Sequence, residues 1–186
     1  MIDDVFDYWY FNDYFNKSQI TELNKFIQHN HDKKEPEYLK SHGAIKTSEV
    51  LLIQYHKLKD KLNLLVQEAY GRGLREFGYD LSPANDLENL NLNIYSSKIK
   101  SQYECHYDSS NSDMYDVKLT LLINVSLKKY EGGKFEYFNV KWREIKELEK
   151  PGNVVMIRSH FHHKVTPVTS GERRTLTHFM VGPRFI

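Results

Sequence analysis

Apolar residues recur at helical spacing in two stretches of the first 82 residues. In the first stretch Ser18 has the residue type of a helix N-cap, and the helix predicted behind it has an apolar face made of Ile20, Leu23, Phe26 and Ile27. The second stretch, from Ser48 to Phe77, predicts one long amphipathic helix with these apolar positions: Leu51, Leu52, Tyr55, Leu58, Leu62, Leu65 and Ala69. The polar residues from His29 to His42 predict an exposed loop between the two helices.

After Pro83 the pattern changes to short apolar or alternating runs, which predicts strands. The predicted strands cover residues 90–95, 103–107, 116–127, 134–138, 153–157, 163–168 and 174–181. Turn residues separate several of them, among them Gly132-Gly133, Pro151-Gly152 and Ser170-Gly171. Since no helix intervenes, the pattern predicts a mainly β, α+β fold in which an antiparallel sandwich or barrel carries the two helices on one face.

The chain contains no internal repeat, low-complexity tract or linker. Residues 1–186 are therefore predicted to form a single domain. Residues 1–82 are expected to be helical support, and residues 83–186 are expected to be the β core.

Composition narrows the classes of partner and the compartment. Twenty-six Lys and Arg residues against 25 Asp and Glu residues leave no net field for nucleic acid or an anionic membrane, so neither is expected as a partner. The single cysteine, Cys105, excludes an internal disulfide. No run of about 18 apolar residues suggests a membrane span, and the first residues lack the pattern of a signal peptide. A cytoplasmic location is expected, and the oligomeric state is left open.

Three residues have the chemistry of a metal site with open coordination positions. His106 and Asp108 are two residues apart, so on a strand their side chains point to the same face. With His163 they would supply two imidazoles and one carboxylate, which leave positions on iron(II) free for a chelating ligand and oxygen. A closed four-ligand zinc site would need another Cys or His, and Cys105 points away from His106 on a regular strand. His162 competes with His163, because only one of them can face inward.

The sequence around these residues resembles the prolyl 4-hydroxylase-like branch of the 2-oxoglutarate and iron(II)-dependent oxygenases, over about residues 90–182. The ordered matches are Tyr95, Tyr103, His106, Asp108, Gly132-Gly133, Pro151-Gly152, His163, Val165, Pro167-Val168 and Gly171-Glu172-Arg173. The resemblance implies a double-stranded β-helix, or jelly-roll, which agrees with the strand pattern.

The resemblance also implies the main ligands of the site. The iron ligands are expected to be His106, Asp108 and His163. Arg173 is expected to pair with the distal carboxylate of 2-oxoglutarate, because a planar guanidinium matches a carboxylate and keeps its charge when buried. Arg174 competes with Arg173, and the spacing from His163 favours Arg173.

Further contacts with the cosubstrate are expected from Tyr95, Tyr103, Thr120 and Asn124. The sequence departs from the family pattern at Asn124, where the family usually has a tyrosine. It also lacks the family's glycines between Tyr95 and Tyr103. These departures leave the three iron ligands untouched.

The function implied by the resemblance is that of an Fe(II)- and 2-oxoglutarate-dependent dioxygenase. Such an enzyme consumes O2, hydroxylates an unactivated C–H bond and releases succinate and CO2. The leading substrate prediction is a prolyl residue in a peptide or protein, and ascorbate dependence is a family expectation. The presence of Asp108 favours hydroxylation over halogenation, because a halide would need its coordination position. Polar rims at residues 29–42 and 109–115 are expected to set specificity and would suit a peptide.

Three alternatives remain open from the sequence. The first is a hydroxylase of a free amino acid or another small molecule. The second is a non-catalytic jelly-roll binding module in which the histidines are structural. The third is a zinc hydrolase on a β-sandwich, which would give no role to Arg173. Metal-dependent turnover of 2-oxoglutarate would distinguish an oxygenase from the binding module. Dependence on iron would distinguish it from the zinc hydrolase.

Overall fold

Antiparallel β-sheets and two α-helices make up the part of the chain that the computed structural model describes, residues 6–35, 38–41, 44–109 and 114–184. The elements in chain order are β1 (Tyr8–Phe11), α1 (Lys17–Asn30), β2 (Lys33–Glu35), β3 (Tyr38–Ser41), β4 (Ala44–Thr47), β5 (Glu49–Gln54), α2 (Tyr55–Phe77), β6 (Asn89–Ser96), β7 (Tyr103–His106), β8 (Tyr115–Asn124), β9 (Glu131–Gly132), β10 (Phe135–Asn139), β11 (Lys141–Glu144), β12 (Val154–Arg158), β13 (His163–Val165), β14 (Val168–Ser170) and β15 (Glu172–Pro183). Short 3-10 helices cover Ser97–Ile99 and Lys146–Glu149.

The strands form two main sheets in which every described pairing is antiparallel. The large sheet has the order β1-β12-β8-β15-β6-β5-β2, and the smaller one has the order β11-β10-β13-β7-β4-β3. A two-stranded sheet joins β14 to β9. This arrangement is a jelly-roll with helices beside it, which confirms the predicted fold class.

The large sheet separates two apolar clusters. On one face it packs against both helices, in a cluster that includes Ile20, Leu23, Ile27, Leu58, Leu62, Leu65, Leu92, Leu121 and Ile123. On the other face Leu122, Val155 and Ile157 pack towards the smaller sheet, whose strands β10 and β13 supply Tyr137 and Val165 to the same cluster. The alternation of Leu121 and Leu122 between the clusters follows from the two-residue period of a strand. The functional residues described below lie between the two sheets.

The first predicted helix is confirmed, but its N-cap is Asn16 and not Ser18. Asn16 Oδ1 accepts a hydrogen bond from Gln19 N at 3.0 Å, and Gln19 Oε1 accepts one from Asn16 N at 2.9 Å. This reciprocal capping box satisfies two backbone donors at once, which Ser18 could not do from inside the first turn.

The long helix predicted from Ser48 is wrong over its first turns. Glu49–Gln54 forms strand β5, and α2 begins at Tyr55. Four consecutive apolar residues, 50–53, fit a strand as well as a helix, so the periodicity could not decide. The sheet decides, because β5 pairs with β6 on one side and with β2 on the other.

The exposed loop predicted between His29 and His42 is also corrected. Lys33–Glu35 forms β2 at the edge of the large sheet, and Tyr38–Ser41 forms β3, which pairs with β4 at the edge of the smaller sheet. Charged edge strands such as Lys33–Glu35 resemble loops in composition, because a strand with one free edge need not alternate. The rest of the predicted loop includes residues 36–37 and 42, which lie outside the described residues.

All seven strands predicted after Pro83 are present, with ends shifted by up to a few residues. The segment predicted at 163–168 is divided between β13 and β14. Strands β1, β4, β9 and β11 were not predicted, and β1 shows that the aromatic segment near the start pairs with β12 instead of supporting a helix. Within the described ranges, no helix is long and apolar enough to cross a membrane.

Candidate metal centre and its cavity

His106 and His163 form a cross-strand pair between β7 and β13. Their rings lie edge to face with centroids 4.3 Å apart, and both residues are buried, with 8% and 3% of their surface exposed. Antiparallel pairing therefore brings together two imidazoles that are far apart in the sequence. The smaller sheet alone sets their separation.

Asp108 completes the group from the segment that follows β7. Its Oδ1 lies 3.7 Å from His106 Nε2, and its Oδ2 lies 3.5 Å from His163 Nε2. The potential ligand atoms of the three residues all lie within 4.8 Å of one another. Among the His, Cys, Asp and Glu side chains of the described ranges, these three lie close enough together to hold a metal ion.

Two contacts fix the position of Asp108. Thr120 Oγ1 on β8 donates a hydrogen bond to Asp108 Oδ2 at 2.5 Å. The Asp108 backbone N–H donates to the Ser159 carbonyl at 3.0 Å, so the backbone is anchored as well as the side chain. Because Thr120 belongs to the large sheet, this hydroxyl links the carboxylate to the opposite wall of the site.

Backbone carbonyls select the tautomer of both imidazoles. His106 Nδ1 lies 2.7 Å from the Glu104 carbonyl and His163 Nδ1 lies 2.9 Å from the Phe161 carbonyl. A carbonyl oxygen only accepts, so each Nδ1 carries the proton and each Nε2 presents its lone pair towards Asp108. Burial, and after it the neighbouring His163, lowers the pKa of His106 to about 4. The neutral ring, which is the form that binds a metal, therefore prevails at neutral pH.

Aromatic rings hold the two imidazoles in place. The Tyr103 ring stacks on His106 with centroids 3.5 Å apart, and the Phe135 ring stacks on His163 at 5.2 Å. Burial raises the pKa of the Tyr103 hydroxyl above its ordinary value. The imidazoles are thus oriented by stacking as well as by their Nδ1 hydrogen bonds.

Arg173 is almost completely buried in the same cavity. It has 1% of its surface exposed and lies opposite Tyr95 in the ladder between β15 and β6, with its guanidinium carbon 5.5 Å from the centre of the Tyr95 ring. Burial raises the pKa of Tyr95 to about 12, so its hydroxyl stays protonated. Among the described residues no carboxylate forms an ion pair with Arg173, and its Nε has no hydrogen-bond partner. A buried cation in this state is suited to an anionic ligand.

One cavity connects the histidines with Arg173. It has a volume of about 110 Å³. Its lining residues are Lys46, Asn91, Asn93, Tyr95, Tyr103, His106, Asp108, Thr120, Leu122, Phe135, His163, Val165, Arg173, Thr175, Thr177 and Phe179. Within the part of the chain that the structure describes, the buried Thr175 hydroxyl, like Arg173 Nε, has no hydrogen-bond partner. Buried polar atoms without partners are rare in folded proteins, and together these two indicate a polar ligand in the cavity.

The sequence model of the 2OG-Fe(II) oxygenase superfamily matches residues 90–181, which contain all of these functional residues except Lys46. The chain belongs to the 2OG-Fe(II) oxygenase superfamily. Family membership implies Fe(II), 2-oxoglutarate and O2. Among curated proteins, no sequence matches this oxygenase significantly.

Several solved structures share the fold of this oxygenase. The viral collagen prolyl hydroxylase of Paramecium Bursaria Chlorella virus-1, solved with 2OG, is 18% identical with a TM-score of 0.68, and the alignment covers 98% of this chain and 99% of that one. A Pseudomonas putida prolyl-4-hydroxylase is 15% identical with a TM-score of 0.62, over 97% and 94% of the two chains. A Trichoplax adhaerens prolyl hydroxylase, in complex with a hypoxia inducible factor peptide fragment, is 14% identical with a TM-score of 0.67, over 94% and 83%.

The residues of this oxygenase fit the implied metal and cosubstrate. Two imidazoles and one carboxylate face a common point, and an ion held by them would have its other side free. The unpaired Arg173 lies in the same cavity, where it suits the distal carboxylate of 2-oxoglutarate. Of the residues that the sequence assigned to the cosubstrate, Tyr95, Tyr103 and Thr120 line this cavity.

Asn124 is the exception, because the structure places its side chain away from the cavity. Its Nδ2 donates to the Leu148 and Glu149 carbonyls at 2.7 and 3.1 Å, and its Oδ1 accepts from Ser126 N at 3.0 Å. The amide closes the turn that follows the 3-10 helix, and no polar atom is left for a ligand. The expectation that Asn124 contacts the cosubstrate is therefore corrected.

The two competing residues also lie away from the site. His162 is exposed, like His160, whereas His163 is buried. Arg174 points to the helix side, where its Nε donates to Glu172 Oε1 at 2.6 Å and its Nη1 donates to Asn24 Oδ1 at 2.9 Å. Strand alternation explains both results, since neighbours on a strand face opposite sides.

Several cavity residues were missed by the sequence reasoning. Asn91 and Asn93 precede Tyr95 at two-residue spacing, and Thr175 and Thr177 follow Arg173 in the same way. This alternation of polar residues within predicted strands was a usable signal. Lys46 had no such signal, because it lies between a predicted loop and a predicted helix. The rim predicted at 109–115 includes residues 110–113, which are outside the described residues.

Proposed function

We propose that this protein uses Fe(II), O2 and 2-oxoglutarate to hydroxylate an unactivated C–H bond of a prolyl residue in a peptide or protein. In the balanced reaction one atom of O2 is added to the substrate. The other atom is used to oxidise 2-oxoglutarate, which becomes succinate and CO2. The observation that carries the oxygenase class is the joint lining of one cavity by the open triad and the unpaired Arg173.

The protein's own residues bind, orient and shield the reacting groups. His106, Asp108 and His163 would hold Fe(II), which supplies the oxygen chemistry when bound. Arg173 would pair with the distal carboxylate of 2-oxoglutarate, and the Tyr95 hydroxyl would donate to the same end of the cosubstrate. The rings of Tyr103 and Phe135 exclude water from the imidazoles while keeping their Nε2 atoms aimed at the metal.

The prolyl substrate is supported by likeness of fold. Three of the solved structures with this fold are prolyl hydroxylases, and one of them holds a peptide fragment. The exposed aromatic residues Tyr107, Phe138 and Trp142 lie on or next to strands of the smaller sheet, which carries His106 and His163. Aromatic side chains of this kind provide contact area for a peptide.

A free amino acid or another small molecule is the second candidate. It is favoured by the polar side chains of Asn91, Asn93, Thr175 and Thr177, which line the cavity and would suit a small polar substrate. Stimulation by ascorbate and a cytoplasmic location remain predictions of the family resemblance and of the sequence, respectively. Ascorbate would be tested by its effect on the number of turnovers before inactivation.

The oxygenase class is tested by succinate formation with anaerobically loaded Fe(II), with and without proline-containing peptides. The wild type is compared with His163→Ala and with the matched control His162→Ala, which changes the exposed neighbour. We expect His163→Ala to lose activity by more than about 100-fold and His162→Ala to keep it.

A prolyl substrate would raise succinate formation and gain one oxygen atom by mass spectrometry. Hydroxylation of free amino acids but of no peptide would favour the second candidate. The absence of both 2-oxoglutarate binding and Fe(II)-dependent turnover, in folded and metal-loaded wild type, would replace the proposal with the non-catalytic binding module. Turnover that depends on zinc and not on iron would contradict both the prolyl hydroxylase and the small-molecule hydroxylase.

A further inference from the structure

Lys46 is a cationic residue of the cavity to which the proposed reaction gives no role. It lies on β4, which pairs with β7 at Tyr103, and its side chain enters the cavity from the smaller sheet. Its Nζ donates to Asn93 Oδ1 at 2.6 Å and lies 5.1 Å from the centre of the Tyr103 ring. Both of these partners are neutral, so neither balances the charge of the ammonium group.

No carboxylate among the described residues forms an ion pair with Lys46. Asp108 and Glu35 are the acidic groups that act on it from a distance, and each is engaged elsewhere. Asp108 belongs to the metal centre, and Glu35 lies 3.6 Å from Lys33. Burial lowers the pKa of Lys46 to about 8, while the two acidic groups oppose that effect. At neutral pH most molecules therefore carry a charged Lys46.

In a site loaded with Fe(II) and 2-oxoglutarate, Lys46 would lack a counter-ion. This step rests on the proposed function. Fe(II) and Arg173 together carry three positive charges, which one carboxylate of Asp108 and the two carboxylates of 2-oxoglutarate balance. Lys46 then adds one positive charge that nothing in the loaded cavity offsets. Leaving a partly buried charge without a counter-ion is unfavourable, and an anionic group on the remaining ligand would remove that cost.

Lys46 also lies close to the candidate metal centre. Its ammonium covers one face of Tyr103, and the Tyr103 ring stacks on the metal ligand His106 at 3.5 Å. Lys46 is therefore separated from a metal ligand by a single aromatic ring. Arg173 is held by a different sheet, on β15. The two cations can thus bind two different carboxylates at the same time.

We propose that Lys46, with Asn93 orienting its ammonium group, binds a carboxylate of the primary substrate. The ligand chemistry is a carboxylate close to the carbon that is hydroxylated. It can come from a free amino acid such as L-proline, from the C-terminus of a peptide that ends in proline, or from an acidic side chain next to an internal proline.

Asn93 supports this assignment because its own amide is locked in place. Its Nδ2 donates to Thr177 Oγ1 at 3.0 Å and to the Asn91 carbonyl at 3.2 Å. These bonds turn its Oδ1 towards Lys46, so the ammonium group is held by one neutral acceptor and keeps its other N–H groups for a ligand. The subsite therefore exists before the substrate binds, which lowers the entropy cost of binding.

The test measures ligand binding to protein loaded with Fe(II) and 2-oxoglutarate under argon, by isothermal titration calorimetry, so that no turnover is needed. Three pairs of probes differ only in a carboxylate: L-proline against L-prolinamide, a peptide ending in proline as free acid against its C-terminal amide, and an Asp-Pro against an Asn-Pro peptide. Wild type is compared with Lys46→Met, Lys46→Arg and the control Lys25→Met, in which an exposed lysine on α1 is changed.

We expect wild type to bind the acid of one pair at least about tenfold more tightly than its amide, and the pair that shows this identifies the source. Lys46→Met should remove that preference, while Lys46→Arg and Lys25→Met should retain it. The same acid-to-amide ratio in KM is expected under turnover.

Two results would overturn the assignment. One is an acid preference that survives in Lys46→Met, or that no pair shows in wild type. The other is a Lys46→Met protein that binds 2-oxoglutarate about tenfold more weakly than wild type, since Lys46 would then serve the cosubstrate. Failure of the proposed function looks different, because wild type itself would then show neither binding nor Fe(II)-dependent turnover of 2-oxoglutarate.

Discussion

Gly133 leaves the space that the side chain of Arg173 occupies. A Cβ on Gly133 would lie 2.9 Å from Arg173 Cδ and 2.9 Å from Val168 Cγ2, which is closer than real Cβ contacts come. Gly133 also has a φ of 61°, a left-handed conformation that favours glycine. The Gly132-Gly133 turn between β9 and β10 therefore supports the position of the buried guanidinium, although it lies far from Arg173 in the sequence.

Replacing Gly133 with alanine should displace Arg173 and weaken the binding of 2-oxoglutarate. We expect KM for 2-oxoglutarate to rise at least about tenfold, because a shift of the charged group costs part of a bidentate ion pair. The matched control is Gly78→Ala, since Gly78 has a φ of 69° but open space around its Cβ position. It should cost about 1 kcal/mol of stability and leave KM unchanged. Equal KM values in all three proteins would contradict the role of Gly133.

The hydroxyl of Thr120 is expected to strengthen metal binding through Asp108. In Thr120→Val the hydrogen bond to Asp108 Oδ2 is lost while the shape of the side chain is kept. Metal affinity, measured by anaerobic Fe(II) titration, should fall by about 10- to 100-fold. Thr120→Ser should restore most of it. If Thr120→Val binds Fe(II) as tightly as wild type, the hydroxyl has no part in placing the carboxylate.

Asn124 is expected to serve stability and not cosubstrate binding. Its amide satisfies two carbonyls and one backbone N–H inside the protein, and it has 0% of its surface exposed. Asn124→Leu should lower the free energy of unfolding by about 1–3 kcal/mol, because these backbone groups lose their partner. KM for 2-oxoglutarate should stay within about twofold of wild type. A large rise in KM without loss of stability would favour the family role of this position.

His178 should make the stability of the protein fall below neutral pH. It is buried on the helix side of β15 and stacks on Tyr55 at 6.0 Å, and no described residue forms a hydrogen bond with either of its ring nitrogens. Burial lowers its pKa from 6.5 to about 4. The unfolded chain then binds more protons than the folded one between these values, so stability is lost as the pH falls through 6.5, by about 3 kcal/mol once it is below 4.

The matched variant is His178→Phe, which keeps an aromatic ring and removes both the unpaired nitrogens and the titration. It should be more stable than wild type by about 1–2 kcal/mol at pH 7.5, and the gap should widen as the pH is lowered to 5. Urea denaturation at several pH values measures the difference, in which the titration of the other histidines cancels. A gap that does not change with pH would show that His178 is not desolvated as the structure indicates.

The sequence was informative where chemistry and periodicity agreed. Spacing placed His106 and Asp108 on one face of a strand, and the resemblance to the oxygenase family added His163 and Arg173, because metal and carboxylate ligands tolerate few substitutes. Strands after Pro83 were predictable because turn residues separate them and their side chains alternate. Alternation allowed only one of His162 and His163 to face inward, the family pattern favoured His163, and the burial of His163 agrees with that choice.

The sequence was uninformative where the partner of a segment decides its structure. Residues 49–54 fit a helix or a strand, and pairing with β6 and β2 makes them a strand. Asn124 takes the place of a family tyrosine in the sequence, and a contact with the cosubstrate was expected from it. Its side chain instead donates to the Leu148 and Glu149 carbonyls, which only the folded chain brings near.

By itself, the sequence determined the class of chemistry, the iron and cosubstrate ligands to expect, and a β fold with helical support. Only the tertiary structure decided the edge strands, the support of Arg173 by Gly133, and the position of Lys46 beside Tyr103. The physical reason is that residue type and period act locally along the chain. The balance of buried charge and the space around a side chain depend on residues that are distant in sequence, and folding alone makes them neighbours.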